Sequence, residues 1–283
     1  MREHRRCGAL DAKAPGGVPR GVPWADPRRT IRTMYAAAER ERLRSDLIAM
    51  ARDDPRVVAA AITGSAAVGR EDRWSDIDLA FSVQTAAEIP DTIADWTARM
   101  NERYGALDHL DVAAGAWIYR VFLLPSTLQV DLAFAPADEF GASAPTFRLL
   151  FGSAAEQTHV PPPAPQQLIG WGWLYALHAR SCISRGKRWQ AEYMISGIRD
   201  QVLALACLRH GLPAVQGRGM DALPGEVTAP LEAALVRRLA TDELTRAMRA
   251  AVEGLLAEIR AIDATLATRL QNVLMELAAT ATS

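Results

Sequence analysis

Asp76 and Asp78 stand one residue apart in the string SDIDLAFSV, and ten residues before them a Gly64-Ser65 pair closes the run VVAAAIT. Side chains alternate faces along a strand, so two carboxylates at period two emerge on one side, about 7 Å apart. Like charges that close repel and raise each other's pKa unless a cation lies between them. Paired carboxylates offer hard oxygen ligands, the kind Mg²⁺ takes together with substrate phosphates. Gly64-Ser65 sits where small residues let backbone N–H groups approach a phosphate at the start of a helix. The spacing therefore reads as one turn for phosphate and one strand for metal. The plain alternative is an ordinary turn and two solvated edge-strand acids, although acidic residues are depleted in strands.

The elements that would position these residues are legible on either side. Residues 57–63 and 77–83 are short apolar runs with strand composition. Residues 35–53 carry Leu43, Leu47, Ile48 and Met50 near helical spacing, and Asp54-Pro55 ends that helix. A short helix is expected over 65–69 and an exposed loop to Trp74. That loop holds Arg70 and Arg73, which could flank a triphosphate or simply be solvated. Residues 88–104 read as a second helix, with Ile89, Ile93, Trp96 and Met100 on one face. Three further strands are expected over 107–114, 116–125 and 127–134, the last two joined at Pro125-Ser126. In TLQVDLAF the residues Leu128, Val130, Leu132 and Phe134 alternate with a set that contains Asp131, a lone charge in mid-strand that invites a partner.

Gly64-Ser65 followed by Asp76-x-Asp78, within GSAAVG…SDIDL, resembles the signature of the polymerase-beta-like nucleotidyltransferase superfamily. Among its smaller members, the string is similar to the antibiotic nucleotidyltransferases of aminoglycoside and lincosamide type and to the minimal enzymes of toxin–antitoxin pairs. The motif covers about twenty residues, and the surrounding elements extend the likeness over roughly 35–150. The resemblance implies a third metal carboxylate on a later strand, for which Asp131 is best placed and Asp108 and Asp111 compete. It implies Mg²⁺ on Asp76, Asp78 and Asp131, a nucleoside triphosphate (ATP) as co-substrate, and Gly64 and Ser65 on its phosphates. The expected reaction moves a nucleoside monophosphate to a hydroxyl of a small molecule such as an aminoglycoside. The alternatives are a tRNA or protein acceptor, and a nucleotide-binding module without activity.

The expected fold is an α/β (α+β) nucleotidyltransferase domain, a mixed sheet flanked by helices over 34–160, followed by an all-α helical-bundle domain over 165–283. Residues 135–165 read as loop, ending in the proline cluster VPPPAP. Helices are expected at about 166–185, 189–210, 230–240, 242–260 and 263–279, with a Gly/Pro-rich loop at 211–229. In the second half, Glu192, Ser196 and Arg199 share one side of a helix. The resemblance implies a glutamate there as general base, which points to Glu192; an internal pair with Ser196 or Arg199 is the structural alternative. Lys187 and Arg188 are candidates for reaching a triphosphate, or are a solvated helix start. His178 and His210 read as packing or capping residues, and Trp171, Trp173 and Trp189 as core or interface residues.

Composition narrows the class. A formal net charge of −1 argues against DNA or bulk RNA as partner. Cys7, Cys182 and Cys207 show no paired spacing, which favours a cytoplasmic protein without disulfides or zinc. No apolar run approaches a membrane span, and a monomer or homodimer is expected. Residues 1–33 hold eight Lys/Arg against three Asp/Glu and read as a disordered leader, with Met34 an alternative start; the rest of the chain then carries about six net negative charges. There is no Walker-type phosphate loop, GxSxG elbow or HExxH.

Overall fold

The structure is a computed structural model that describes residues 35–142, 144–156 and 161–279. The expected leader over 1–33, including Cys7, lies outside the described residues. The chain divides between residues 159 and 160 into two compact units.

The first unit is built on a six-stranded mixed sheet. Its strands are β1 (Val57–Thr63), β2 (Ile77–Val83), β3 (Asp108–Ala114), β4 (Trp117–Leu123), β5 (Gln129–Pro136) and β6 (Phe147–Phe151), in the order β3-β4-β5-β2-β1-β6. β2 and β5 run parallel, and every other neighbouring pair is antiparallel. Helices α1 (Ala37–Asp53) and α3 (Ile89–Tyr104) cover one face. Leu43 and Leu47 of α1, with Ile93, Trp96 and Met100 of α3, bury against Ile77, Leu79, Phe81, Val130, Leu132 and Phe134. Trp96 is fully buried, packs against Phe81 with centroids 4.7 Å apart, and donates its indole N–H to Asp54 Oδ2 at 3.1 Å. Truncating such a side chain to alanine costs about 3–5 kcal/mol.

The opposite face is finished differently. Ala59, Ala61, Ala80, Ala133 and Ala135 make a flat floor on which Phe140, Trp117 and Phe147 lie. Small side chains permit this, because no helix of the unit is needed to fill the space above them.

Several expectations need correction, among them the loop at 211–229, which holds the helical turn Gly225–Thr228. The stretch 135–165 holds β6, which pairs antiparallel with β1 and closes that edge; five residues with Arg148 and Leu149 exposed carry too little periodicity to announce a strand. The last strand starts at Gln129 rather than 127, since Thr127 adopts a left-handed φ of 67° in the turn after Pro125-Ser126. The helix expected at 230–240 shrinks to a 3₁₀ turn over Ala229–Ala234, beginning Ala229-Pro230.

The second unit is helical among the described residues. It comprises α4 (Pro165–Ser184), α5 (Arg188–Arg209), the single turn α6 (Gly225–Thr228), α7 (Thr241–Ile262) and α8 (Ala264–Ala279). Leu244, Met248, Ala251, Leu255 and Ile259 recur at helical spacing on α7 and bury into a core shared with Ile195, Ile198 and Val202 of α5. Glu258 is buried but paired, with Arg209 donating to both its oxygens at 2.8 and 3.0 Å.

Candidate metal and phosphate site

β1 ends at Thr63, and the chain turns at once into the four-residue helix α2 (Gly64–Ala67). Gly64 makes that turn with φ +63°, the left-handed region that glycine enters without a steric penalty. A second constraint acts on the same residue. A β-carbon built on Gly64 would overlap the carboxylate of Asp78, so the backbone of the turn and this acid lie in contact. Position 64 therefore requires glycine for its dihedral and for its neighbour.

Asp78 is the second residue of β2, and Asp76 immediately precedes the strand. The parallel pairing of β2 with β5 sets Asp78 directly opposite Asp131. Asp76, Asp78 and Asp131 each present a carboxylate oxygen within 4.8 Å of the other two, and all three are half-buried. The sequence thus placed the first two acids on a common face, and the strand register supplies the third. The competitors fall away: Asp111 is clasped by Arg120 through two bonds of 2.6 Å on the far side of the β3–β4 hairpin, and Asp108 opens β3 at its exposed start.

The electrostatics match a cation site. Burial pushes the Asp131 carboxyl up to about 6; a hydrogen bond from Gln129 opposes this, and the negative charge of Asp76 adds to the rise. Gln129 Nε2 donates to Asp131 Oδ1 at 3.1 Å and lies 3.4 Å from Asp76 Oδ2, so one neutral amide bridges two of the acids. A neutral amide offsets only part of the charge that Asp76 and Asp131 share. The donor set is all oxygen and suits a hard divalent ion such as Mg²⁺, with Asp76, Asp78 and Asp131 as ligands.

A support system under the connecting loop was not read from the sequence. Arg40 and Arg44 are four residues apart on α1 and both are buried. Arg40 donates to the carbonyls of Asp72 at 2.7 Å and Ser75 at 3.0 Å, and the Tyr35 hydroxyl adds a 2.9 Å bond to Ser75. Arg44 pairs with Glu71 at 2.6 Å; Arg40 Nε lies 3.3 Å from the same carboxylate but out of line for a hydrogen bond. The Ser75 hydroxyl lies 3.3 Å from the Ser65 hydroxyl and accepts a hydrogen bond from the Asp72 N–H at 2.9 Å. The residue before Asp76 is thus fastened to the helix and to the Gly64-Ser65 turn. In sequence, two arginines inside an Arg/Glu-rich helix give no sign of this.

No family model matches the chain, and no curated protein matches it. Among solved structures it is similar to the crystal structure of an aminoglycoside 6-adenyltransferase from Bacillus subtilis, at 11% identity and a TM-score of 0.37, over 86% of this chain and 98% of that one. That overlap is loose, and the meaning of the site rests on its own residues.

The remaining candidates divide between the two units. Arg70 is exposed and donates its backbone N–H to Ser65 O at 3.0 Å, while Arg73 stacks on the exposed Trp74 ring with 4.4 Å to its centroid. In the second unit, Ser196 donates to Glu192 Oε1 at 2.7 Å, and Arg199 turns instead to Asp200 at 2.8 Å. Of the two internal pairs expected for Glu192, only that with Ser196 forms. Lys187 and Arg188 are exposed at the start of α5. Trp189, 77% exposed, and Tyr193 stand out from that helix rather than lying in the core.

Proposed function

We propose that this protein is a Mg-dependent nucleotidyltransferase that moves a nucleoside monophosphate, AMP from ATP, to a hydroxyl group of a small molecule with release of pyrophosphate. The observation that carries this reading is the convergence of Asp76, Asp78 and Asp131 beside the Gly64-Ser65 turn. A divalent ion bound there would neutralise charge that develops on the phosphate oxygens.

The chain's own groups have distinct parts. Asp76, Asp78 and Asp131 hold the cation. Backbone N–H groups at Gly64 and Ser65 hold the β- and γ-phosphates, and Arg70 flanks them. The acceptor oxygen attacks the α-phosphorus as the bond to the bridging oxygen breaks, and pyrophosphate departs on the opposite side. The hydroxyl proton passes to a carboxylate, Asp131 or Glu192. Lys187 is the candidate for a further triphosphate contact. Displacement at phosphorus asks the protein mainly for positioning and charge neutralisation. The acceptor is a small hydroxyl-bearing compound, the place of action is the cytoplasm, and the working form is a monomer or homodimer with neither DNA nor membrane as partner.

The test is a panel of hydroxyl acceptors incubated with α-labelled nucleoside triphosphates, scoring label transfer and pyrophosphate release. Transfer by the wild type and at least a 100-fold loss in Asp78→Asn are expected. Equal transfer by both proteins would remove the proposal.

A further inference from the structure

The strand register lays a straight row of residues across the open face of the sheet. Gly64 touches Asp78, Asp78 pairs with Asp131, Asp131 with Val121, and Val121 with Leu110. Adjacent strands lie about 4.8 Å apart, so the row spans roughly 19 Å, with the three acids toward one end and Leu110 at the other. The same face carries Val112 and Leu123, because they too alternate with the side chains that point toward α3. Leu110, Leu123 and Val112 are 64%, 49% and 48% exposed. Single exposed apolar residues are ordinary, but a contiguous group at the edge of a polar site marks a binding surface. A cavity of about 240 Å³ opens at this shelf, lined by Leu110, Val121, Leu123 and Gln129, the residue whose amide bridges Asp76 and Asp131.

We infer that the shelf formed by Leu110, Val121 and Leu123 seats the body of the acceptor, and that the acceptor presents an uncharged apolar surface beside its reacting hydroxyl. The inference rests on the nucleotidyl-transfer reading and narrows its substrate. In-line displacement puts the attacking oxygen and departing pyrophosphate on opposite sides of the α-phosphorus. With pyrophosphate at the Gly64-Ser65 end of the row, attack comes from the Val121 end. The nucleoside leaves the α-phosphorus sideways to that line, so it does not compete for the shelf. The new bond joins acceptor oxygen to phosphorus, the bond to the bridging oxygen breaks, and the hydroxyl proton passes to a carboxylate.

The charges at hand fit a neutral body better than a polycation. Asp108 and His109 are the titratable groups lining the cavity. Asp111 is on the other face, occupied by Arg120. Apart from the acids of the metal site, a polyamine-like sugar would find Asp108 as the one carboxylate lining this cavity.

The experiment uses the full chain with Mg–ATP and three acceptors that share hydroxyls and differ in apolar length: methyl, hexyl and octyl β-D-glucoside, with kanamycin as the polycation. Transfer efficiency is expected to rise about twofold per added methylene, less than full burial would give on this half-open shelf. Leu110→Asp should flatten that dependence, with at least a tenfold loss for the octyl compound, while Mg–ATP affinity stays within twofold. Val273→Asp, another exposed apolar site, in the second unit, should leave the dependence intact. A flat length dependence, no transfer to any glucoside, or a preference for kanamycin that Leu110→Asp does not change would overturn the inference and leave the enzyme reading standing. Loss of Mg–ATP binding by the wild type would instead strike the enzyme reading. A wild-type dimer dispersed by Leu110→Asp would assign the shelf to a second copy and likewise overturn it.

Discussion

The α-carbon of Gly64 lies against the carboxylate of Asp78, so the turn that ends β1 and the acid on β2 form one packed contact. The backbone of the turn and this carboxylate are therefore fixed to each other by sterics. Gly64→Ala violates both the +63° dihedral and the contact. It should cost about 1–3 kcal/mol of stability by thermal unfolding. Nucleotidyl transfer should fall by about 100-fold or more, since small misplacements at such centres have large effects.

Asp131 provides a pH signature in the metal-free protein. Its carboxyl is raised to about 6 in the fold, above the usual value near 4 of an unfolded chain. A raised acid contributes stability that is complete below about 4 and is lost as pH rises through about 6. Asp131→Asn has no such charge to bury. With EDTA present it should be more stable than the wild type at pH 8, by about 1–2 kcal/mol once solvent screening at this half-open site is allowed for. At pH 4 the advantage should vanish. Denaturant midpoints at the two pH values measure it.

Gln129→Leu removes the amide that bridges Asp76 and Asp131. That hydrogen bond holds the Asp131 carboxyl down, so its loss raises the carboxyl further above 6. Protons then compete better with a cation. Mn²⁺ affinity, followed by electron paramagnetic resonance, should weaken several-fold at pH 6 and little at pH 8, where Asp131 is ionised in either protein.

The two buried arginines of α1 should separate in function. Arg40→Met removes donors to the carbonyls of Asp72 and Ser75, just before Asp76, whereas Arg44→Met removes a partner of Glu71. Each should cost about 1–3 kcal/mol, the ordinary range for a lost buried hydrogen-bond network. Only Arg40→Met should also reduce Mn²⁺ affinity, by about tenfold. A Mn²⁺ titration of the two folded variants distinguishes them.

Glu192 bears on the second unit. Its carboxylate already accepts from Ser196, a bond that Gln can retain. If Glu192 takes the acceptor proton, Glu192→Gln should lower kcat by about 100-fold with unfolding temperature preserved. A rate within threefold of the wild type assigns that proton to Asp131.

Much of this was legible in the chain because local and global signals agreed. VVAAAIT and IDLAFSV became β1 and β2 over the expected residues, and the alternation in TLQVDLAF put Asp131 off the apolar face. What stayed hidden depends on register and distance. Gln129 enters the site only because β5 lies beside β2, and Arg40 reaches Ser75 across 35 residues. Neither leaves a local pattern. β6 was missed for a related reason: a five-residue edge strand is defined by the partner it pairs with, here β1, more than by its own sequence. The shelf of Leu110, Val121 and Leu123 likewise exists only once β3 and β4 are aligned.

The most direct measurement is calorimetric titration of Mg–ATP into the wild type and Asp78→Asn, repeated with EDTA. Saturable, Mg-dependent binding by the wild type that is lost in Asp78→Asn and on chelation is the predicted result. Binding of equal strength in the wild type and the variant, or none in the wild type, would contradict a metal–phosphate site on Asp76, Asp78 and Asp131.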